Sequence, residues 1–435
     1  MNYTIGLDFG THQTKCCVEE RDKNYRKYYF LSFMNTDGEL EYRLPSVIKV
    51  KKDKRLEYGF FNSASNDRVF RYFKQGTFNP EDSNWNESIE ASVVSIWYLT
   101  YMIFCLKAKV GKYFDINIGV PTDSTTYIKK RIIAAELLKA AYYLAEEVYK
   151  DDMRSFLNAT YEDLLHETPR EVFNEEECNE FCKDYGIRVF PEAWACLRPL
   201  LRSKRLTTLN MMIDIGGGTT DISLFSVVKE DSNLILKIFY YTSVNLGLNY
   251  LYKNPALMEK GYETSENSLS LLNVHHYNAM INRRLQNFMI QFESAFKSAA
   301  LGMFDKDDID VTIRDKQTIY VGGGSIFGIL RQKRNHFQDV RQIDARDWDK
   351  NNIVDYQEMS LLCPILATSY GLAISEGNVM GTVIPTDNLS SLFDGIRKAA
   401  HDRRIEIESK KYNSESSFGK ALGGFNYMDD WDAMK

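Results

Sequence analysis

The chain has 435 residues, 44% of them hydrophobic, which is enough for two large lobes or two to three domains. A formal net charge of -6 with scattered basic residues argues against a nucleic-acid-binding surface, so any phosphate recognition must be local. No run reads as apolar for the length of a bilayer span and the amino terminus enters a strand without a leader pattern, so cytoplasmic residence is expected. The 7 cysteines, an odd number set mostly in apolar or helical patterns, read as reduced thiols. Cys178 and Cys182 can share a helix face, but no partner pair stands at metal-finger spacing.

In chain order, Ile5-Gly6-Leu7-Asp8-Phe9-Gly10-Thr11 and the returning run Thr14 to Glu19 predict a hairpin with an Asp before a glycine turn. Tyr25 to Phe33 and Tyr42 to Val50 read as further strands, the latter holding Arg43-Leu44-Pro45-Ser46, and a lysine-rich turn leads to Leu56-Glu57-Tyr58-Gly59. Val69 to Gly76, with Arg71 and Lys74, reads on its own as a basic helix end. Ile89 to Ala108 predicts a helix with an apolar stripe through Val93, Ile96, Leu99 and Ile103, followed by the strand Ile116 to Val120 and a second helical pattern, Tyr127 to Tyr149. Residues 150 to 186 are acidic and aromatic and predict a helical insertion, a charged solvated excursion or a partner surface.

The stretch Leu209 to Val228 repeats the opening pattern. Its arms Met211 to Ile215 and Asp221 to Val228 flank Gly216, Gly217 and Gly218, which let backbone N–H groups approach an anion, while Asp214, Thr219, Thr220 and Asp221 supply carboxylates and hydroxyls. Neither loop is a Walker A or a dinucleotide fingerprint; the order is strand, loop, strand. Beyond it come a strand (Leu234 to Tyr241), a loop (Val244 to Gly247), the pair His275 and His276 without metal-ligand spacing, a long helix (Ile281 to Met303) and a strand (Thr318 to Val321) leading into Gly322-Gly323-Gly324-Ser325. The polar tail from about residue 402 is expected to pack loosely.

On these landmarks the sequence resembles the actin-like ATPase superfamily of actins, sugar kinases and seventy-kilodalton heat-shock chaperones. The first phosphate loop is similar to Ile5 to Thr11, the second to Ile213 to Asp221, and the adenosine loop to Ile319 to Ser325. The two interlobe crossings resemble Pro191-Glu192-Ala193-Trp194-Ala195 and Ala367 to Ala373. The chaperone ATPase domain is nearest, through Leu44-Pro45-Ser46, Val120-Pro121 before a helix, and the crossing pattern.

The resemblance implies a two-lobed α/β fold, with residues 1–210 as the first lobe, 361–400 returning to it, 211–360 as the second lobe and 401–435 as a tail. It implies an Mg-dependent, slowly hydrolysing ATPase acting as a chaperone-like switch; a filament-forming actin-like protein and a small-molecule kinase are the alternatives. Asp8 and Asp214 would hold magnesium, and Gly10, Thr11, His12, Gly216, Gly217, Gly218 and Thr219 would grip phosphate. Lys74, or failing it Arg71, would meet the terminal phosphate, and Glu192 would help orient water. Gly247 stands at a loop that has two glycines in the chaperones and here continues with Leu248.

Glu293 and Lys297 would face the ribose and adenine, with Gly323, Gly324 and Ser325 beneath the base and Phe327 either stacked on it or in the core. Trp194 replaces a small residue at the crossing and calls the usual shear between lobes into question. The chaperones' β-sandwich client domain has no counterpart, so the implied partners are nucleotide and an unidentified protein or another copy of the chain, with neither nucleic acid nor membrane.

Overall fold

Two mixed β-sheets with one shared strand order carry the fold. The computed structural model describes residues 2–375 apart from 24, 63–66, 122–126, 170–173, 203–208, 231–232, 255–264, 301–315 and 335–338. The first sheet comprises β1 (Asn2–Phe9), β2 (Gln13–Arg21), β3 (Arg26–Phe30), β4 (Asp115–Val120) and β5 (Ile187–Pro191), in the order β5-β4-β1-β2-β3. The second comprises β6 (Leu209–Ile215), β7 (Thr220–Glu230), β8 (Asn233–Val244), β9 (Lys316–Val321) and β10 (Asp339–Gln342), in the order β8-β7-β6-β9-β10. In each, three successive strands pair antiparallel through short turns, and two later strands add parallel on the other edge of the first. Parallel pairing needs a long crossover, and the chain spends its helices there. The first strand of each sheet is buried on both faces over most of its length, from Thr4 to Phe9 and from Asn210 to Ile213, which is why Ile5, Leu7 and Phe9, and Met211, Ile213 and Ile215, alternate with few exposed residues.

The helices that matter for the site are α1 (Phe73–Phe78), α2 (Ala91–Val110), α3 (Tyr127–Tyr143), α4 (Glu192–Leu197), α5 (Leu248–Leu251), α6 (Leu271–Ala300) and α7 (Cys363–Ala373). Helix α7 returns to the first sheet, and Asn117 Nδ2 donates to Leu372 O at 2.6 Å. A Cβ at Gly6 would stand 2.1 Å from Ser369 O, so glycine there permits this approach. One apolar cluster lies with the first sheet and another with the second. A third joins them, bringing Cys17, Tyr28 and Phe30 together with Met212, Ile319 and Val321 around α4 and α7. The chain is thus a mixed α/β fold.

Several expectations are corrected. Tyr42 to Val50 is two short strands: Leu44–Pro45 pairs with β2, and Ile48–Val50 joins Leu56–Tyr58 and Arg68–Phe70 in a separate sheet. Proline has no N–H to continue a ladder, so the run breaks there. Helix α2 has no single apolar stripe, since Val94, Trp97, Tyr98, Met102 and Leu106 are buried as well as Ile96, Leu99 and Ile103. It is also long and apolar enough to cross a bilayer, contrary to the reading that no stretch is, but two-thirds of it is buried inside the fold.

The 150–186 segment is no solvated excursion. Its helices Met153–Asn158, Tyr161–Glu167 and Glu175–Asp184 bury Phe156, Leu164 and Cys178, and the Phe156 ring packs 5.4 Å from Tyr58 and 5.3 Å from Phe104. The close crossing of α4 and α7 survives Trp194, because Gly371 and Ala195 make it: a Cβ at Gly371 would lie 1.7 Å from Ala195 O. Trp194 instead stacks on Phe190 with ring centroids 4.8 Å apart. Residues 376–435, including the rest of the returning segment and the tail, lie outside the described residues.

Candidate functional site: two glycine loops facing one cavity

The tips of the β1–β2 and β6–β7 hairpins meet. Their loops, Gly10–Gln13 and Gly216–Thr219, have equal length and close the ladder pairs Phe9↔Thr14 and Ile215↔Thr220. The next pair inward is Asp8↔Lys15 in one hairpin and Asp214↔Asp221 in the other. The first loop is braced by the Pro-Ser strand: Ser46 Oγ donates to Gly10 O at 2.7 Å and Ser46 N to His12 O at 2.8 Å, while Tyr98 Oη donates to Pro45 O at 3.2 Å. The second is braced from behind, where the N–H groups of Leu248 and Asn249 donate to Gly216 O and Gly217 O at 3.0 and 2.9 Å. Gly247 permits that seat, since a Cβ on it would stand 2.6 Å from Gly217 O.

Between the loops lies a cavity of about 80 Å3. It brings together Asp8, Gly10, Thr11, His12, Lys74, Glu192, Asp214, Gly216, Gly217, Gly218, Thr219 and Gly323 of the expected site, drawn from both sheets, from α1 and from the first crossing. Lys15 Nζ pairs with Asp8 Oδ2 at 2.8 Å, and Lys74 Nζ donates to Glu192 Oε1. Glu192 leans over Gly119, where a Cβ would be 2.8 Å from its Cγ. Burial raises the Glu192 carboxyl above its ordinary range, and the Lys74 ammonium draws it back down. At Asp214 repulsion prevails: burial first, then the Asp221 and Asp8 carboxylates, push it up to about 8 against the pull of the Lys15 ammonium. Gly322, at a left-handed φ of 79°, brings its backbone against Asp214, and a Cβ there would stand 2.1 Å from Oδ1. Burial, with help from Arg71 and Lys15, lowers His12 to about 4, so its ring is neutral near pH 7.

Other expected residues fall elsewhere. Gly247 acts from behind the second loop rather than lining the cavity. Gly324 packs on Ile215, and Ser325 is buried with its Oγ donating to Gly322 O at 2.7 Å. Phe327, a candidate for stacking on adenine, is 1% exposed and meets Tyr252 edge-on at 6.1 Å, inside the cluster beneath the second sheet. The side chains of Glu293 and Lys297, on α6, lie outside the described residues. His275 and His276 are exposed, and His276 Nδ1 bonds the Tyr250 hydroxyl at 2.7 Å.

The cavity also takes in Gln13, Lys15, Asp221, Gly322, Pro364, Ile365 and Thr368. Lys15 was legible as a residue that hairpin pairing sets opposite Asp8, whereas the α7 residues, remote in sequence, were not. Among the described residues no three His, Cys, Asp or Glu side chains form a chelating cluster. A magnesium ion needs only one or two carboxylates beside water and phosphate oxygens, and the facing Asp214 and Asp221 carboxylates, the latter also accepting from the Tyr241 hydroxyl at 2.7 Å, could supply them. Asp8, already held by Lys15, is the weaker candidate of the two expected metal carboxylates. No protein-family profile matches the sequence, and no curated protein is significantly similar to it.

Proposed function

We propose that this chain is an ATP-binding, slowly hydrolysing switch protein with the two-lobed architecture of the actin-like superfamily. The observation that carries the reading is the repeated register: two hairpins of equal loop length, each with an Asp at the same rung, facing one cavity from two sheets of the same strand order. A lone glycine turn explains neither the second copy nor the lysine and carboxylates collected between them.

In this reading Gly10, Thr11, Gly216, Gly217, Gly218 and Thr219 present N–H and hydroxyl donors to phosphate oxygens. Asp214 and Asp221 would hold a hydrated magnesium ion, which neutralises phosphate charge when bound. Lys74, on α1, offsets charge on the terminal phosphoryl group, and its tie to Glu192 keeps both side chains at the cavity wall. Glu192 and Asp214 orient water against that group. Nucleotide bound between the two loops would touch both sheets at once, so occupancy would bias how they close on each other, which makes the chain a switch.

Titration calorimetry of the full chain with ATP and ADP, with magnesium and with chelator, tests the reading. Saturable, magnesium-enhanced binding supports it. Failure of both nucleotides to bind at millimolar concentration overturns it.

A further inference from the structure

Three side chains from separate elements meet over the glycine loops. His12 leaves the first loop and lies on the second, so close that a Cβ at Gly217 would stand 2.5 Å from His12 Cδ2. Asn249, on α5, sets its Nδ2 2.6 Å from His12 Nε2 and 3.0 Å from the Tyr72 hydroxyl. The Tyr72 ring meets the His12 ring edge-on at 5.1 Å. Both amide hydrogens are therefore used, one on the imidazole nitrogen and one on the phenol oxygen. A neutral imidazole can accept in this way, and burial together with Arg71 and Lys15 keeps His12 neutral.

The backbone beneath Tyr72 is held in an uncommon state. Its φ of 63° and ψ of 14° lie in the left-handed region, which a bulky side chain adopts only when its surroundings impose it. Tyr72 is also the residue that begins α1, two positions before Lys74. One residue further on, Gln75 Nε2 donates to Asn245 Oδ1 at 3.1 Å, so α1 is fastened at two points to the loop that braces the second glycine turn.

We propose that Asn249 and Tyr72 are positioning residues that clamp His12 across the two glycine loops, forming a latch that keeps the polyphosphate site shut until nucleotide displaces the imidazole. With His12 seated, its ring lies against the backbone of Gly217 and Gly218, the face that the second loop would offer to phosphate oxygens. The latch consists of neutral hydrogen bonds and one ring contact, which a polyanion aimed at the loop N–H groups can replace. Because Tyr72 starts α1, releasing it removes one of the two fastenings of the segment that carries Lys74, so admission of phosphate and placement of the catalytic lysine are linked.

This inference rests on the nucleotide reading, and its test separates the two. Stopped-flow association of a fluorescent ATP analogue is measured for wild type, Asn249→Ala, His12→Ala, Tyr72→Phe and the Asn249→Ala/His12→Ala double variant, all as full chains with folding checked. Each alanine variant is expected to associate about tenfold faster, because the shut fraction lowers the apparent rate, and the double variant no faster than either single, because Asn249 acts through His12. Tyr72→Phe, which keeps the ring, should give a smaller rise.

A nucleotide-free readout runs beside it: hydrogen exchange at Gly216–Thr219 should quicken in Asn249→Ala and in His12→Ala. Quicker exchange in a chain that binds no ATP analogue keeps the latch and removes the nucleotide reading. Unchanged exchange and association rates, or independent additive effects in the double variant, overturn the latch.

Discussion

Asp214 stands opposite Asp221 across the second hairpin, at the rung where the first hairpin sets Lys15 against Asp8. One aspartate is neutralised by its own hairpin, while the other faces a second carboxylate in a buried place and is raised to about 8. The sign of the consequence follows from proton linkage. Between the ordinary carboxylate value of 3.8 and about 8 the folded protein holds a proton at Asp214 that the unfolded chain has released. Stability of the ligand-free protein should therefore fall as pH rises through that window. Asn carries no such proton, so thermal melts of Asp214→Asn should lose that slope and exceed wild type by several degrees above pH 8. Parallel profiles for the two proteins would mean that Asp221 and burial do not strain this carboxyl.

In the nucleotide reading, Asp8 and Asp214 also bear on turnover. Asp8→Asn and Asp214→Asn both keep side-chain size, and both are expected to bind ATP but hydrolyse it about a hundredfold more slowly, the usual scale for one lost charge in a preorganised site. The register adds a difference between them: Asp8→Asn leaves the Lys15 ammonium without its carboxylate, whereas Asp214→Asn relieves repulsion. Asp8→Asn should thus lower the melting temperature where Asp214→Asn raises it. Near-wild-type hydrolysis by folded Asp214→Asn would remove the second hairpin from the chemistry.

Lys74→Ala is expected to cut single-turnover hydrolysis by about a hundredfold or more while nucleotide affinity changes far less, because a cation at the terminal phosphate matters most as charge shifts in the transition state. Arg71→Ala should do less. The ion pair supplies a second readout, since Lys74 is 4% exposed and its loss strands the Glu192 carboxylate. Adding Glu192→Gln to Lys74→Ala should restore part of the lost stability without restoring turnover. A larger loss of hydrolysis in Arg71→Ala than in Lys74→Ala would reassign the catalytic cation.

Phe327→Ala should destabilise the fold by roughly 3–5 kcal/mol, the range for a buried aromatic, and leave ATP affinity nearly unchanged in the fraction that folds. The ring packs under the loop against Tyr252 and does not reach the cavity. Denaturant unfolding beside calorimetry separates the two effects. A weaker ATP affinity with wild-type stability would put the ring on the base after all.

Local pattern and distant contact divide what the sequence could tell. Both Asp-to-glycine hairpins were legible because apolar alternation and glycine turns are local signals, and pairing outward from Phe9↔Thr14 puts Lys15 beside Asp8. The burial of α2 on most sides and of Phe156 was not, because acidic and aromatic composition does not reveal which partner a helix will find. Asn249 and Tyr72 were silent for the same reason: neither belongs to a motif, and only the meeting of α5 with the start of α1 puts them on His12. The doubt raised by Trp194 looked at one helix of the crossing only, whereas the residue that lets the two helices approach is Gly371 on the other, whose missing Cβ makes room for the Ala195 carbonyl.

That crossing yields the last prediction. A Cβ added at Gly371 would lie 1.7 Å from Ala195 O and 2.6 Å from its carbonyl carbon, both backbone atoms that cannot swing aside. Gly371→Ala must therefore push α7 away from α4. Overpacking of this kind costs about 1–3 kcal/mol and occasionally more. The functional effect should exceed the stability effect, because α4 begins at Glu192 and α7 lines the cavity through Thr368, so a shift between them moves Glu192 relative to Lys74. Gly328→Ala is the control, since its nearest neighbour is the flexible Glu266 carboxylate at 3.2 Å. The expected result is a lower melting temperature and slower hydrolysis in Gly371→Ala, with Gly328→Ala changing stability by no more than about 0.5 kcal/mol. Equal melting temperatures for Gly371→Ala and wild type would show that the two helices do not depend on this close approach.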